Sequence, residues 1–459
     1  MSVVGVVGGG PAGATFAARM AELGHDVWLA ERARFPRRHL GEALTPGVLP
    51  LLEVTGARAA IEAAGFRSVP RVHVTWEMGP QVREDPRQQG LIVDRGSFDR
   101  VLLDRAKALG VRVLQPAIVR EHHWDCNRWN VRIDADDGAC TFVADFVADA
   151  TGRASGRSTS RRWTGAATLA LHAYWQGHDL PDEPTIEAGE EAWYWGVPLP
   201  DGTHNILVFA DARTVRAQGG SLAERFRALL ARSTLLAGDD AMLAGPVEAI
   251  NATPYLDGES ATPTQLKVGD AALALEPLSS SGVQKAIQGA LSAAIVANTL
   301  LRRPENTDAA LQFYRTNLAE ASDRHCLWAA RHYGRIATRG GGVFWQDRAK
   351  AEPDASSELQ RVPVDSASLR SRPVALSSDV QFVDQPCIDD RFVTLQPAIR
   401  HPALDGTIAY VGGHALAPLL RGLPPGLTPL QIARSWADRV PVDRGLAIAG
   451  WMIERGLLV

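Results

Sequence analysis

Apolar and polar positions follow recognisable patterns from the first residues of the chain. Residues 3–7 form an apolar run typical of a buried parallel strand, and residues 14–23 have the apolar spacing of a helix. A second apolar run follows at 27–30. This order predicts a strand–helix–strand unit at the start of the chain.

A glycine-rich turn joins the first strand to the helix. Gly8, Gly10 and Gly13 have the G-x-G-x-x-G spacing. The first glycine permits a tight turn, the second permits close approach of a pyrophosphate, and the third permits close packing of the helix. Glu31 ends the second strand, where its carboxylate can accept hydrogen bonds from a ribose. Together these residues predict a dinucleotide site.

Further elements are predicted along the rest of the chain. Alternating or continuous apolar runs predict strands at 111–114, 129–133, 141–147, 168–175, 192–198 and 205–210. Helical spacing predicts a helix ending near 301 and others at 305–335, 428–433 and 447–453. Asp136-Asp137-Gly138 is a hairpin signal, and the Gly-, Pro- and Ser-rich stretch 336–380 predicts a linker or wrapping segment.

Three later segments indicate which dinucleotide is bound. Residues 148–155 (Ala-Asp-Ala-Thr-Gly-Arg-Ala-Ser) follow a strand, and Asp270 ends another, where it can hold a ribityl or ribose hydroxyl. The Ser/Gly-rich turn 277–283 opens a helix and offers N–H donors to the polar edge of an isoalloxazine. Each segment alone could be a turn or a helix cap. In combination they favour FAD over NAD.

Together with Glu31-Arg32 and the segment 38–42 (Arg-His-Leu-Gly-Glu), these segments resemble the FAD-binding signatures of group A flavoprotein monooxygenases. They are most similar to the branch that contains the flavin-dependent tryptophan halogenases, over about residues 3–335. The resemblance implies FAD, O2, and either NAD(P)H or an external reductant. The implied cofactor-binding residues are Gly8, Gly10, Pro11, Ala12, Gly13, Glu31, Arg32, Arg38, Gly41, Glu42, Asp270, Pro277, Ser280, Ser281, Gly282 and Val283.

The implied fold class is α/β, with a Rossmann-like FAD-binding domain and a β-sheet substrate domain. A small, mainly helical C-terminal module completes it, either winged-helix-like or a dimerisation or capping element. The expected boundaries are 1–165 with 256–335 for the discontinuous FAD domain and 166–255 for the substrate-side sheet. Residues 336–380 are the linker, and 381–459 form the C-terminal module.

Composition and charge indicate which classes of partner and which compartment to expect. The 459 residues carry a net charge of −4 with 22% charged residues, so nucleic acid is not an expected partner. The cysteines are scattered, which fits a reducing compartment. Met1 directly precedes the first strand, and no apolar run reaches membrane-spanning length, so we expect a cytoplasmic protein without a membrane segment.

Two departures argue against halogenation. The resemblance implies a lysine beside the indole in the halogenases, yet the corresponding segment 65–79 contains none. Arg67 or Arg71 is a poor substitute, because arginine stays protonated. Halogenases of free tryptophan also carry a carboxylate after the Pro-Leu of the flavin-edge turn, where this chain has Ser279.

One motif favours the halogenases. The segment 193–198 (Trp-Tyr-Trp-Gly-Val-Pro) matches their W-x-W-x-x-P pattern. Strand alternation puts Trp193 and Trp195 on one face, where they either line the substrate side or fill a core. Related reductases have a similar strand, so the motif does not define the reaction.

A narrower resemblance exists to flavoproteins of tryptophylquinone cofactor biogenesis, which share the FAD motifs and lack the lysine. It implies hydroxylation of a tryptophan in a partner polypeptide, with a separate flavin reductase as a further candidate partner. His73, Glu77 and Glu276 are the candidates for a catalytic base, although a histidine on a strand is often structural. No residue spacing predicts a metal site.

The sequence thus predicts an FAD-dependent monooxygenase that hydroxylates an electron-rich ring, with a peptidyl tryptophan as the expected substrate. The alternatives are a small-molecule aromatic hydroxylase or halogenase of secondary metabolism, and an assembly factor in which FAD is only structural.

Overall fold

The computed structural model describes residues 1–84, 89–136, 138–154, 160–177, 180–234, 236, 242–350 and 372–459. Asp137 of the predicted hairpin turn, Ser155, and residues 351–371 of the predicted linker therefore lie outside the described residues. The chain forms two compact units. The first comprises Met1–Thr307 and Tyr314–Glu352, and the second comprises Asp308–Phe313 and Pro353–Val459.

The strands of the described residues, in chain order, are β1 Val3–Val7, β2 Asp26–Ala30, β3 Ala43–Leu44, β4 Arg67–Val69, β5 Arg71–Trp76, β6 Gly79–Glu84, β7 Gly90–Ile92, β8 Arg112–Leu114, β9 Ala117–Asp125, β10 Arg128–Ala135, β11 Gly138–Ala144, β12 Phe146–Asp149, β13 Arg161–Trp163, β14 Thr168–Gln176, β15 Thr185–Ala188, β16 Ala192–Pro198, β17 His204–Asp211, β18 Met242–Leu243, β19 Glu248–Asn251, β20 Tyr255–Asp257, β21 Ala261–Thr262, β22 Gln265–Lys267, β23 Leu273–Ala274, β24 Gln381–Asp389, β25 Phe392–Arg400, β26 Tyr410–Val411 and β27 His414–Ala415. The helices are α1 Pro11–Glu22, α2 Val48–Val54, α3 Arg58–Ala63, α4 Arg95–Ala108, α5 Ala212–Ala217, α6 Leu222–Leu230, α7 Gly282–Arg302, α8 Thr307–Ala337, α9 Val343–Ala349, α10 Leu416–Leu420, α11 Pro429–Ser435 and α12 Val442–Glu454.

The first sheet has the order β21-β22-β12-β1-β2-β8 and carries the glycine turn. β1 pairs in parallel with β2 and β12, and α1 packs against α4 and α7, so the predicted strand–helix–strand unit is present. The single strand predicted at 141–147 is wrong. The chain leaves the β9–β10–β11 sheet at Asp145, whose carboxylate accepts a hydrogen bond from Val3 N–H, and β12 then joins the first sheet.

The second large sheet has the order β18-β14-β17-β16-β15-β5-β6, with β19 also paired to β14. Its two faces have different neighbours because side chains alternate along each strand. One face packs against α6, whose Phe226 and Leu229 are buried there. The other, which we call the tryptophan face, carries Trp193 and Trp195 and packs against Leu278. The α/β class predicted from the sequence is confirmed.

Helix α9 lies within the stretch where the sequence predicts a linker. Its Phe344 and Trp345 are buried in the cluster on the tryptophan face. The indole N–H of Trp345 donates to the carbonyl oxygens of Gly189 and Glu190, at 3.1 and 2.9 Å. Of the two interpretations, linker or wrapping segment, the packing of these residues agrees with the second.

The second unit has its own core, which includes Ile432, Trp436 and Met452. α11 begins with the predicted cap, where Thr428 and Gln431 form a capping box. The β24–β25 hairpin was not predicted. Among the described residues, no helix combines the length and apolar character needed to cross a membrane.

We expect Trp345→Ala to lower the free energy of unfolding by about 3–5 kcal/mol, because it removes a fully buried indole and leaves a cavity. Val343→Ala is the matched control on the same helix, since Val343 is 66% exposed, and it should cost less than about 0.5 kcal/mol. Urea unfolding measures both. Equal losses would contradict the assignment of α9 to the core.

Candidate active site

The turn after β1 requires glycine at its first and third positions. Gly8 has φ of +105°, and a Cβ there would lie 2.4 Å from the carbonyl oxygen of Ala150. A Cβ at Gly13 would lie 1.9 Å from the carbonyl oxygen of Gly8. At Gly10, by contrast, the nearest described atom to a Cβ would be Nη2 of Arg37, at 3.9 Å. The space in front of the α1 N-terminus is therefore open enough to admit a ligand.

Glu31 lies beside this turn at the end of β2, and its side chain is buried. Oε2 accepts a hydrogen bond from Gly9 N–H at 2.6 Å, and Oε1 accepts one from Ala33 N–H at 2.8 Å. The neighbouring Arg32 is exposed. These bonds fix the carboxylate, and its remaining lone pairs can accept ribose hydroxyls.

Of two adjacent arginines, Arg37 is the one that faces the turn. Its Nη2 lies 3.4 Å from Oδ2 of Asp99, and its Nε lies 4.0 Å from Oε1 of Glu31. Its Nη1 is buried without a hydrogen-bond partner among the described residues. Arg38, the arginine that the sequence analysis selected, instead lies over the ring of Tyr174, with 4.4 Å from Cζ to the ring centroid.

Asp99 explains why Arg37, and not Arg38, faces the glycine turn. It is fully buried on α4 and also accepts hydrogen bonds from Nε and Nη2 of Arg95, at 3.0 and 3.2 Å. One buried carboxylate therefore contacts two guanidinium groups. Of these two contacts, the sequence spacing could indicate only the one between Arg95 and Asp99, which are four residues apart on α4.

Asp270 follows Gly269, which packs against the first turn of α1. A Cβ at Gly269 would lie 2.6 Å from Cβ of Ala12, which shows how closely the two segments approach. Oδ2 of Asp270 is 3.5 Å from Nε of Arg153, whose Nη1 also donates to backbone carbonyls at 251 and 253. The described part of the first segment, 148–154, and the Gly269-Asp270 pair thus meet at one site.

The turn 277–283 forms the N-terminus of α7. Pro277–Ser279 make a single 3-10 turn, Ser280 adopts the left-handed conformation with φ of +51°, and α7 begins two residues later, at Gly282 after Ser281. The first N–H groups of a helix have no partner within it, so they are available to a ligand. A Cβ at Gly41 would lie 3.8 Å from Cγ2 of Val283, so the segment 38–42 lies beside this turn.

Glu42 connects that segment to the tryptophan face. Its Oε1 accepts hydrogen bonds from the Tyr174 hydroxyl at 3.1 Å and from Asn205 Nδ2 at 2.8 Å. Its Oε2 accepts one from Gly41 N–H at 2.9 Å. Burial raises the pKa of Glu42. The segments that the sequence assigns to the cofactor therefore reach the sheet that it assigns to the substrate.

A histidine on this face is not among the candidates predicted from the sequence. Strand pairing sets Trp195 opposite Leu207, and Leu207 opposite His172, so all three lie in one row across the tryptophan face. His172 is 5% exposed, and neither ring nitrogen has a hydrogen-bond partner among the described residues. Its Nε2 lies 3.7 Å from Oε2 of Glu248, and burial lowers its pKa.

Trp193 and Trp195 share this face, as strand alternation predicts. Trp193 is buried and stacks on Phe209, with 3.7 Å between ring centroids and 7° between planes. Trp195 is only partly buried. The two indoles therefore differ, because Trp193 fills the core whereas Trp195 is the more accessible.

Two of the three candidate bases form ion pairs with other side chains. His73 pairs with Thr185 on the face opposite to the tryptophan face, and its Nε2 is 2.7 Å from Oε2 of Glu183. Glu77 forms an ion pair with Arg335, at 3.1 Å. The third candidate, Glu276, immediately precedes the turn.

Glu276 is buried and hydrogen-bonded through both carboxyl oxygens. Oε2 accepts a bond from Leu278 N–H at 2.9 Å, and Oε1 accepts one from the Tyr333 hydroxyl. Burial raises the pKa of Glu276 to about 7. In the described part of the chain, no group of three His, Cys, Asp or Glu side chains is arranged to hold a metal ion.

Comparisons with known proteins agree with this geometry. A family model described as tryptophan halogenase matches residues 71–370. The tryptophan 2-halogenase of Chondromyces crocatus is 31% identical over 368 residues, which cover 74% of this chain and 69% of that protein.

The chain belongs to the tryptophan halogenase family.

Two solved structures extend the comparison to the whole chain. QhpG, described as a peptidyl tryptophan dihydroxylase essential for tryptophylquinone cofactor biogenesis, is 29% identical, with a TM-score of 0.77 over 99% of each chain. CmlS, a flavin-dependent halogenase, is 21% identical, with a TM-score of 0.79 over 100% of this chain and 95% of its own. At that identity CmlS supports the fold alone.

Membership of the tryptophan halogenase family makes this chain an FAD-dependent oxidoreductase. Its own residues fit the cofactor. The orphaned Nη1 of Arg37 and the open space at Gly10 suit a pyrophosphate, and Glu31 suits a ribose. The N-terminus of α7 suits the polar edge of an isoalloxazine.

We expect Arg37→Met to weaken FAD binding roughly tenfold to a hundredfold, as for loss of a hydrogen bond to a charged group. Arg38→Met should change it less than about threefold, because that guanidinium lies over Tyr174. Titration of the apoprotein, followed by flavin fluorescence, gives both dissociation constants. A larger effect of Arg38→Met than of Arg37→Met would instead support Arg38 as the cofactor-binding arginine.

Proposed function

We propose that this protein hydroxylates a tryptophan side chain of a partner polypeptide during tryptophylquinone cofactor biogenesis. The observation that carries the proposal is the similarity to a peptidyl tryptophan dihydroxylase at 29% identity over 99% of both chains. The source of electrons is either NAD(P)H acting directly or a separate flavin reductase.

The positions of the lysines support hydroxylation over halogenation. The chain has only four, at 107, 267, 285 and 350. Lys107, Lys267 and Lys350 pair with Asp104, Asp257 and Asp347 respectively, and Lys285 lies on α7. None of these positions belongs to the strands that form the tryptophan face.

The chemistry suits an indole. When bound and reduced, FAD reacts with O2 to supply an electrophilic oxygen, and an indole ring is electron-rich. The chain must then orient the ring, exclude water and accept the ring proton. The apolar tryptophan face supplies the first two functions. His172 is proposed for the third, because it is buried on this face and neither ring nitrogen has a hydrogen-bond partner among the described residues, Nε2 lying 3.7 Å from Oε2 of Glu248.

We expect His172→Gln to slow product formation by about 10²–10⁴-fold, the usual contribution of a general base. FAD binding should not change. Because burial lowers the pKa of His172, the imidazole stays neutral, so wild-type activity should persist below the ordinary histidine value of about 6.5. Product formation is followed by mass spectrometry across the pH range.

His73→Gln provides the matched comparison, because His73 lies on the opposite face of the same sheet. It should slow product formation less than about threefold. A large loss at His73 with none at His172 would reverse the assignment.

The direct test of the function is the intact mass of a tryptophan-containing partner polypeptide. It is incubated with the protein, FAD, a reductant, O2 and chloride. We expect the mass of one or two oxygen atoms to be added. Heat-denatured protein is the control.

The second candidate function is halogenation, favoured by the names of the curated relatives. Addition of chlorine in the same reaction would establish it. Turnover of free tryptophan or a pyrrole without a partner would indicate small-molecule chemistry. Bound flavin that is never reduced and reoxidised would indicate a structural cofactor.

A further inference from the structure

A cavity of about 250 Å³ lies in the first unit, immediately behind the turn that starts at Pro277. A water molecule occupies about 30 Å³ of liquid, so the cavity has room for several. The polar side chains that line it include Glu276, Cys326, Tyr333, Asp347, Arg348 and Lys350.

Glu276 connects this cavity to the turn. Its Oε2 is bonded to Leu278 N–H inside the turn, and its Oε1 is bonded to the Tyr333 hydroxyl. Both Glu276 and Tyr333 line the cavity. The carboxyl group of Glu276 therefore links the cavity to the turn at which we predict the isoalloxazine to bind.

The surrounding groups set the charge of Glu276. Burial raises its pKa to about 7, while the hydrogen bonds from Tyr333 and Leu278 and the positive charges of Arg348 and Arg153 oppose the rise. The imidazole Nε2–H of His325 donates a hydrogen bond to the backbone carbonyl oxygen of Glu276, at 2.9 Å, and not to its carboxyl group. Near neutral pH, the protonated and ionised forms of the carboxyl are therefore both populated.

We propose that Glu276 and Tyr333 form a proton relay from the cavity to the cofactor. The relay rests on the proposed function in one respect, because the hydroxylation that consumes the proton is itself a proposal. When one atom of O2 enters the ring, the other leaves as water, and reduced FAD is the electron donor. That water takes one hydrogen from the anionic form of reduced FAD and one further proton, which Glu276 supplies.

The ionised Glu276 is then reprotonated through Tyr333. The phenol passes its proton to Oε1 while it takes one from water in the cavity, so it never becomes a phenolate. This agrees with the pKa of Tyr333, which burial and the adjacent carboxylate hold well above its ordinary value.

Infrared difference spectroscopy of the oxidised holoenzyme tests the relay without substrate. A protonated carboxyl band should titrate with a midpoint near pH 7, and Glu276→Gln should abolish it. Tyr333→Phe should raise the midpoint, because it removes a hydrogen bond that stabilises the carboxylate.

Tyr314→Phe is the matched control. Tyr314 is a buried tyrosine on the same helix, and its hydroxyl donates to the carbonyl oxygen of Lys267, at 2.6 Å, away from the cavity. It should leave the midpoint unchanged. A band that survives in Glu276→Gln, or a midpoint that Tyr333→Phe does not move, would overturn the proposal.

Turnover provides the second readout. The amount of product per O2 consumed should fall as Glu276 ionises, and Tyr333→Phe should slow product formation about tenfold and release more hydrogen peroxide. Equal rates and equal yields in Tyr333→Phe and wild type would contradict the relay. If the wild-type protein gives no oxygenated polypeptide, the proposed function is contradicted. The infrared titration still tests the relay in that case, because it needs no substrate.

Discussion

The pairing of β14 with β17 and of β17 with β16 sets His172, Leu207 and Trp195 side by side across one sheet. Side chains alternate between faces, so a slip of one residue would move all three to the side that packs on α6. That side is already filled by Tyr194, Phe226 and their neighbours. Burial of both faces therefore fixes the register, and the register determines which groups can face the cofactor.

Most candidate cofactor residues can be proposed from the sequence alone, because their motifs are local. The glycine spacing, Glu31 and Asp270 each follow from a short motif at the end of a strand, and the structure brings them to the N-terminus of α1. The choice between Arg37 and Arg38 could not be made locally. It depends on Asp99, which lies 62 residues further along the chain and is buried beside the turn.

Other features were hidden for identifiable physical reasons. His172 gains its significance from strand neighbours distant in sequence, whereas His73 looks equivalent along the chain but lies on the other face. Pro386 and Pro397 interrupt the strand pattern of the β24–β25 hairpin, a two-stranded sheet in which proline is tolerated. The sequence therefore indicates which cofactor is bound more readily than which reaction follows.

The central claim is that oxygen from O2 is transferred to a tryptophan ring of a partner polypeptide. The most direct measurement is the same reaction under isotopically heavy O2 in ordinary water, followed by fragmentation of the product. We expect heavy oxygen on the indole of one tryptophan. Oxygen derived from water, or a halogen at that ring, would contradict it.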